Sequence, residues 1–381
     1  MNLSIQNQMT DASERSKMKK VLSVSDKEKP IYNIVYEKGF DGLQEACKEL
    51  DLANRKICII SDSDVAKHYL NAVEEQLSKI ADFVTSFVFT AGESSKNIDT
   101  VQKAYEHLIL NQFDRNDMLV ALGGGVVGDL TGFTAATYLR GIRFIQIPTS
   151  LLAMVDSSVG GKTGVDFLKY KNMVGAFYQP KLVYMNSSVL HTLPEEHYYN
   201  GFAEIVKYGM IQDASFLTWI KEHMQKIHAH DEATLQEIVY RSCLFKRDIV
   251  QRDAMEKGER ALLNYGHTLG HSIEKDSDFA LLHGQCVALG MVAALQINVQ
   301  RGTIPQEELL TFETLLKELN LPTRIINTIE IEKIIAGTKN DKKMEAGKIK
   351  FILLKGIGKG YIDNTVTEEE MKQALTYLMK K

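Results

Sequence analysis

The first half of the chain alternates short apolar runs with a segment of helical periodicity, and this alternation limits the possible folds more than any other feature. Four runs predict buried strands because each is short, apolar and ended by a polar turn or a proline: residues 56–61, 83–90, 118–122 and 144–148. Residues 97–111 repeat apolar side chains at helical spacing. Alternating strands and helices predict an α/β fold with a parallel sheet covered by helices.

The second half of the chain predicts helices instead. Helical periodicity recurs in residues 196–208, 214–228, 232–251, 267–276, 284–300, 307–319 and 331–337, and one β-like run covers residues 348–354. We therefore predict three parts: a polar, flexible lead-in over residues 1–28, an α/β domain over residues 29–187, and a mostly α-helical domain over residues 188–381.

Composition and charge argue against several classes of protein. The net charge is −4 and charged residues make up 25% of the chain, a balance that predicts no general binding to nucleic acid. No apolar stretch is long enough to cross a membrane, and the polar first residues have no signal-peptide pattern. The four cysteines form no C-x-x-C pair, as expected of free thiols in a reducing compartment. We therefore expect a cytoplasmic protein.

A glycine-rich loop directly follows the 118–122 run. Gly123-Gly-Gly-Val-Val-Gly128 matches G-x-G-x-x-G and precedes Asp129, and such a loop at a helix start lets the backbone approach a pyrophosphate. Taken alone, the motif also fits an ordinary tight turn between a strand and a helix. Arg143 stands where an acidic ribose contact is usual, so Asp62 is the alternative candidate. This order of parts predicts a variant Rossmann-like domain.

A histidine cluster predicts a metal site. His267 and His271 are four residues apart and share one helix face, and His283 begins the next helical segment. Three histidines within 17 residues, in a chain that has only ten, suit a divalent cation, and by spacing alone all three would be ligands. Helix-capping or core histidines are the alternative interpretation.

Cationic and polar residues near these motifs indicate an anionic substrate. The segment Val159-Gly-Gly-Lys162-Thr163 is not a P-loop, because Asp156 replaces its first glycine, so Lys162 is either a phosphate contact or an ordinary exposed lysine. Further candidates are Lys171, Asn172, Glu204, Lys207, Lys246, Arg260, Asn264 and the segment 341–344. Together they indicate a substrate with phosphate and carboxylate groups.

These segments together resemble the 3-dehydroquinate synthase family. The similar stretches keep the family's order from about residue 56 to residue 360: Gly92-Glu93-x-x-Lys96, the 123–129 loop, Pro148-Thr149-Ser-Leu-Leu-Ala, Val155-Asp156-Ser-Ser-Val-Gly-Gly-Lys162-Thr163, Lys171-Asn172-Met-Val-Gly-Ala-Phe, Ala203-Glu204-Ile-Val-Lys207, Arg260-x-x-Leu-Asn264-x-Gly-His267-Thr-x-Gly-His271, His283-Gly and Asp341-Lys342-Lys343. The set is highly specific. Asp64, Ser272 and Gln285 depart from the family pattern.

The resemblance implies a role for each matching residue. NAD would be bound by Asp62, Asp64, Glu93, Lys96, Gly124, Gly125, Val126, Asp129, Thr149, Ser150, Lys162, Lys171 and Thr192. Zinc, or cobalt, would be held by Glu204, His267 and His283, so that His271 becomes a substrate contact. The catalytic and substrate-binding set would be Asp156, Lys162, Asn172, Lys207, Lys246, Arg260, Asn264, His271, Lys342 and, from the second subunit of a homodimer, Arg140.

The implied reaction is a lyase step of the shikimate pathway. It converts 3-deoxy-D-arabino-heptulosonate 7-phosphate to 3-dehydroquinate and phosphate through transient oxidation by NAD, β-elimination, re-reduction and aldol ring closure. The alternatives are sister sugar-phosphate cyclases, such as aminodehydroquinate synthase or 2-deoxy-scyllo-inosose synthase, and a metal-dependent polyol dehydrogenase. The substrates of the inosose and valiolone synthases lack a carboxylate, so those enzymes do not need Lys246 and Arg260 together. A non-catalytic nucleotide-binding protein would need neither the metal ligands nor the substrate contacts.

Overall fold

The computed structural model describes residues 20–26, 29–168, 170–256, 258–277, 280–326, 330–338, 344–345 and 348–380. Its first half contains the strands β1 (Lys20–Asp26), β2 (Lys29–Glu37), β3 (Lys56–Asp62), β4 (Phe83–Phe89), β5 (Met118–Gly123), β6 (Arg143–Pro148), β7 (Lys162–Phe167), β8 (Tyr170–Phe177) and β9 (Leu182–Asn186). Seven of these strands form one sheet in the order β1-β2-β9-β6-β5-β3-β4, and β7 pairs with β8 as a separate hairpin. The sheet is parallel except where β1 pairs with β2.

Helices cover both faces of this sheet. They are α1 (Leu43–Ala46), α2 (Ser63–Leu77), α3 (Ile98–Leu110) and α4 (Gly125–Thr137). Strand β5 supplies Leu119 and Ala121 to the core shared with α3 and α4, and Met118 and Val120 to the core shared with α1 and α2. Because both faces are covered, β5 is buried along its whole length, which explains its continuous apolar run. The predicted α/β fold is confirmed.

The chain order reverses its direction across the sheet at β3 and β5. From β3 the chain passes to the edge strand β4, then returns to β5 on the other side of β3 and continues to β6. Ser61 of β3 lies in register with Leu122 of β5, so the two strands end side by side. Loops that leave such a pair in opposite directions form the usual ligand-binding crevice of an open parallel sheet.

The second half is mostly helical, as predicted. Its helices are α5 (Glu195–Ile211), α6 (Ala214–Glu222), α7 (Met224–His228), α8 (Glu232–Arg252), α9 (His267–Asp276), α10 (His283–Gln300), α11 (Gln306–Glu318), α12 (Ile331–Thr338) and α13 (Glu368–Leu378). Short strands follow α12: β10 (Met344–Glu345), β11 (Lys348–Ile349), β12 (Phe351–Leu354) and β13 (Gly360–Asp363). Within the described ranges, none of the helices combines the length and apolar composition needed to cross a membrane.

Several sequence predictions need correction. The lead-in over residues 1–28 is wrong for residues 20–26, because β1 pairs with β2 there; residues 1–19 and 27–28 lie outside the described part of the chain. The helix predicted over residues 214–228 breaks at His223, and the strand predicted over residues 348–354 is interrupted at Lys350. The domain boundary near residue 187 stays a prediction.

Candidate active site

The residues predicted to bind a dinucleotide come mostly from the carboxyl edge of the sheet. They follow the ends of successive strands: Asp62 and Asp64 at β3, Glu93 and Lys96 after β4, Gly124, Gly125, Val126 and Asp129 after β5, Thr149 and Ser150 after β6, and Thr192 after β9. Parallel strands present their carboxyl ends at one edge, so the fold gathers segments that are far apart in sequence. Lys162 and Lys171 approach from the β7–β8 hairpin.

The glycine loop packs closely against the segment that follows β6. β5 ends at Gly123 and α4 begins at Gly125, so the unpaired N–H groups of the first turn of α4 lie at the crevice. A Cβ atom on Gly124 would lie 3.4 Å from Ser150 Oγ, and one on Gly125 would lie 3.3 Å from Ser157 Oγ. Glycine at these two positions therefore allows the loop to pack closely against Ser150 and Ser157 and leaves its backbone accessible to a phosphate group.

Asp62, and not Arg143, lies beside this loop. Its Oδ1 atom caps α2 by accepting hydrogen bonds from the backbone N–H groups of Asp64 and Val65, each at 2.9 Å. Arg143 begins β6 at the opposite edge of the sheet, where it donates to two backbone carbonyls. The position of Asp62 therefore favours it as the candidate ribose contact.

A buried lysine connects helix α4 to the β7–β8 hairpin. Lys96 Nζ donates to Asp129 Oδ2 at 2.7 Å and to Asn172 Oδ1 at 2.6 Å, and its side chain is buried. Burial alone would lower the pKa of Lys96, but Asp129 and Glu93 raise it, so the ammonium stays charged. Lys171, beside Asn172, lies 3.4 Å from Glu93 Oε1. Asn172, predicted as a phosphate contact, therefore lies among the predicted cofactor residues.

Three helices bring Glu204, His267 and His283 together. Glu204 Oε1 lies 3.5 Å from His267 Nε2 and 3.7 Å from His283 Nε2, close to the spacing of about 3.4 Å between ligands around tetrahedral zinc. This Oε1 atom is buried and has no hydrogen-bond partner in the described structure, whereas Oε2 pairs with Lys207. His267 Nδ1 lies 3.1 Å from the carbonyl oxygen of Tyr265, an acceptor that favours the tautomer with the proton on Nδ1 and the Nε2 lone pair available to a metal. The donor set fits zinc.

Close glycine contacts fix the three helices to one another. A Cβ atom on Gly290 of α10 would lie 1.8 Å from the carbonyl oxygen of Gly266, which precedes α9. A Cβ atom on Gly284, next to His283, would lie 2.0 Å from the carbonyl oxygen of Asn200 on α5. Asn200 Oδ1 also accepts a hydrogen bond from the Gly284 N–H at 2.6 Å. The spacing of the candidate ligands is therefore set by backbone-to-backbone packing.

Buried cations surround Asp156, which lies in a π-helical turn after β6, Ala153–Ser157. Lys246 Nζ donates to Asp156 Oδ1 at 2.6 Å, and the Tyr208 hydroxyl donates to the same atom at 3.1 Å. Burial alone would raise the pKa of Asp156, but Lys246 holds it well below its usual range. Arg260 is 1% exposed and donates to two uncharged backbone carbonyls, while its Nε has no acceptor in the described structure. This region therefore suits an incoming anion.

Glu256 joins two predicted phosphate contacts, and sequence reasoning did not single it out. Its carboxylate pairs with Lys162 and accepts a hydrogen bond from Asn264 Nδ2 at 2.9 Å. Burial alone would raise the pKa of Glu256, but Lys162 and the amide of Asn264 lower it. The available signal was an acidic side chain four residues before Arg260.

Comparison with known proteins agrees with this geometry. Residues 86–200 match the family model described as 3-dehydroquinate synthase N-terminal, and residues 201–344 match the one described as 3-dehydroquinate synthase C-terminal. The chain belongs to the 3-dehydroquinate synthase family. A curated 3-dehydroquinate synthase from Acetivibrio thermocellus is 46% identical over 317 residues, which cover 83% of this chain and 88% of that protein. The resemblance found in the sequence is confirmed.

Two solved cyclase structures share the fold of this 3-dehydroquinate synthase family member. A 2-epi-5-epi-valiolone synthase from Streptomyces hygroscopicus, solved with NAD+ and Zn2+, aligns with a TM-score of 0.84 and 27% identity over 94% of this chain and 99% of its own. A 2-deoxy-scyllo-inosose synthase, solved with carbaglucose-6-phosphate, NAD+ and Co2+, aligns with a TM-score of 0.85 and 24% identity over 94% of this chain and 100% of its own.

Not every residue matched to the 3-dehydroquinate synthase family joins the cluster. His271 is not part of the group formed by Glu204, His267 and His283. The fold therefore does not group all three histidines as ligands, which their spacing alone had predicted. Arg140 is exposed beyond the end of α4, about 20 Å along that helix from the glycine loop. Lys342 lies outside the described residues.

Proposed function

We propose that this chain is a 3-dehydroquinate synthase, which converts 3-deoxy-D-arabino-heptulosonate 7-phosphate to 3-dehydroquinate and phosphate. Family membership supports the reaction class. The observation that carries the choice of substrate is the pair of buried cations Lys246 and Arg260 beside Asp156. Lys246 already pairs with Asp156, whereas Arg260 donates only to backbone carbonyls within the described structure. A buried cation without an anionic partner is costly, and the carboxylate of the heptulosonate would supply that partner.

The proposed cofactors are NAD and a divalent metal, Zn2+ or Co2+. When bound, NAD supplies reversible hydride transfer at the substrate's C5 carbon, and the metal supplies a Lewis acid for the neighbouring hydroxyl groups. Glu204, His267 and His283 would hold the metal, and the crevice at β3 and β5 would hold NAD. The orphaned Oε1 atom of Glu204 supports the metal assignment because a buried carboxylate oxygen requires a cation or a donor.

The protein's own contribution is to orient a flexible, doubly anionic substrate. Lys246 and Arg260 would bind its carboxylate, and Lys162 and Asn264 would bind its phosphate in place of the Glu256 carboxylate. Asp156, Lys207 and His271 would contact the hydroxyl groups and the reacting carbons. Holding both charged ends fixes the carbon chain between them, which favours elimination of phosphate and then ring closure over release of an open chain.

The decisive experiment measures phosphate release and NADH accumulation from purified protein with NAD and Zn2+, with five candidate substrates offered in parallel. We expect release from the heptulosonate phosphate only, with no net NADH, because the oxidation is reversed within each turnover. Release from glucose 6-phosphate or sedoheptulose 7-phosphate would assign the protein to a sister cyclase. Turnover of the aminated heptulosonate phosphate alone would assign it to the aminodehydroquinate synthases. NADH accumulation with a simple polyol would indicate a dehydrogenase.

A homodimer in the cytoplasm completes the proposal. Arg140 is exposed beyond the end of α4, which suits a contact with the site of a second subunit, as the family resemblance implies. The four cysteines are all buried and unpaired with one another, which suits a reducing compartment. In such a dimer, Arg140→Ala would weaken substrate binding without changing metal affinity.

A further inference from the structure

Glu274 is a buried carboxylate between the candidate metal site and the β7–β8 hairpin. It lies in the last turn of α9, two turns after His267, and is 3% exposed. Its Oε2 atom lies 3.4 Å from His283 Nδ1, and its Oε1 atom lies 2.7 Å from Lys171 Nζ. No residue role assigned above accounts for this side chain, although it contacts a candidate metal ligand.

The two nitrogen atoms of His283 face different carboxylates. Nε2 faces Glu204 Oε1 at 3.7 Å, while Nδ1 faces Glu274. A neutral imidazole can offer a lone pair to a metal at Nε2 only if Nδ1 carries the proton, and that proton then requires an acceptor. A carboxylate in this position fixes the tautomer and the orientation of the ring and makes the metal-binding nitrogen more basic.

The two candidate histidine ligands are supported by different acceptors. His267 Nδ1 faces the neutral backbone carbonyl of Tyr265 at 3.1 Å, which no side-chain substitution can remove. His283 relies on the side chain of Glu274, which Lys171 holds from the other side. Lys171 also contacts Glu93, so the support of His283 extends to the candidate cofactor region.

We propose that Glu274 is a positioning residue that orients His283 for metal binding, and that Lys171 keeps its carboxylate in place. This inference rests on the proposed metal site formed by Glu204, His267 and His283. A second grouping of His271, Glu274 and His283 is the competing arrangement, in which Glu274 would itself be a ligand. The orphaned Oε1 atom of Glu204 favours the first arrangement.

Metal affinity is the direct test. We would measure Zn2+ binding by competition with a chromophoric chelator, and the visible absorption spectrum of bound Co2+, for wild type, Glu274→Gln and Glu274→Ala. We expect Glu274→Ala to bind Zn2+ about 10- to 100-fold more weakly, as other losses of a carboxylate behind a metal-binding histidine do. Glu274→Gln keeps an acceptor oxygen and would fall between the two. Its Co2+ spectrum would keep the wild-type band pattern, because the ligands do not change.

Glu313→Gln is the matched control. Glu313 is also 3% exposed and pairs with Arg324 and Tyr377, away from the candidate site. Its loss would lower the melting temperature and leave Zn2+ affinity unchanged. If Glu274→Ala fails to fold, the nearly isosteric Glu274→Gln gives the answer, and wild-type Zn2+ affinity in that variant overturns the proposal.

Two further variants separate the competing arrangements and the proposed function. Zn2+ lost in His271→Ala but retained in Glu204→Gln would make Glu274 a ligand and overturn its positioning role. If the Glu274 variants bind Zn2+ more weakly but the wild-type protein releases no phosphate from the heptulosonate phosphate, the positioning role is supported and the proposed function is rejected. If the Glu274 variants bind Zn2+ as the wild type does and the wild type releases phosphate, the positioning role is rejected and the proposed function is supported.

Discussion

The metal side and the phosphate side of the candidate site are built in different ways. Glu204, His267 and His283 project from three helices whose backbones touch at glycines, and the carboxylate of Glu204 is fully buried. Lys162 begins a hairpin strand, its side chain is 50% exposed, and its partner Glu256 lies in the loop after α8. The metal side is closely packed without a ligand, whereas the phosphate side, in the proposed reaction, would exchange the Glu256 carboxylate for the phosphate of the substrate.

This difference separates two requirements of the proposed reaction. A metal with a fixed ligand spacing benefits from ligands that cannot relax, because each ångström of misplacement weakens binding. A phosphate that enters bound to carbon and leaves as a free ion benefits from contacts that can open. Substitutions on the two sides should therefore affect different measurements.

Arg260→Ala should give the largest effect, and it should be confined to the substrate. Removing one member of a buried charged contact costs about 2–5 kcal/mol of binding, so kcat/KM for the heptulosonate phosphate should fall by more than tenfold. Zn2+ affinity and NAD affinity should not change. Equal loss for substrates with and without a carboxylate would show that Arg260 does not read the carboxylate, and the comparison with the sister cyclases would lose its main support.

Gly290→Ala should damage the metal side alone. The added Cβ atom would lie 1.8 Å from the Gly266 carbonyl oxygen, so α10 must move away from α9. Overpacking of this kind typically costs about 1–3 kcal/mol of unfolding free energy, and the displaced His283 should weaken Zn2+ binding measured by chelator competition. Gly356→Ala is the control, because nothing lies within 4 Å of its added Cβ atom. Intact Zn2+ affinity in Gly290→Ala would show that the metal side is not rigid.

Glu256→Gln should strengthen phosphate binding slightly, whereas the two preceding substitutions weaken the binding of a ligand. Without its charge, residue 256 competes less with phosphate for Lys162, and inorganic phosphate should bind more tightly, by less than about fivefold, because exposed ion pairs contribute about 0–1 kcal/mol. Isothermal titration calorimetry would measure the change. Glu259→Gln, which alters an exposed pair with Arg252, is the control and should not change phosphate affinity.

The pH dependence of stability should show the smallest effect. Burial would raise the pKa of Glu256, but Lys162 and Asn264 lower it below the ordinary value of 4.5. A carboxyl group with a lowered pKa stabilises the fold above its unfolded pKa and loses that contribution as the pH falls through the folded value. The difference in Tm between wild type and Glu256→Gln should therefore shrink as the pH falls below 4.5. A difference that does not vary with pH would mean that the ion pair contributes nothing to stability.

The sequence predicted those elements whose burial leaves a clear pattern. β3 and β5 are covered on both faces, so their apolar runs are continuous, and α9 and α10 carry the histidine spacing. The β7–β8 hairpin was missed because its exposed residues show no apolar alternation. β1 was missed because it is a short edge strand, paired with β2 alone, and its sequence is mostly polar.

The candidate site shows the same limit. Histidine spacing located two of the three grouped metal candidates, but Glu204 lies 63 residues before His267, and only the packing of α5 against α10 brings it near. Family resemblance supplied Glu204 because its motif is local. Glu256 and Glu274 escaped both approaches, since an acidic residue in a charged segment usually lies on a solvated surface. Only the fold shows that Glu274 is buried and that Glu256 is partly covered.

The position of Arg140 beyond the far end of α4 has a genetic consequence. If each site takes Arg260 from one chain and Arg140 of the partner subunit, then an Arg140→Ala chain paired with an Arg260→Ala chain forms one intact site and one that lacks both arginines. Random pairing of equal amounts would leave about a quarter of all sites intact. Two impaired alleles would then complement each other in one cell, and neither would recover when expressed alone.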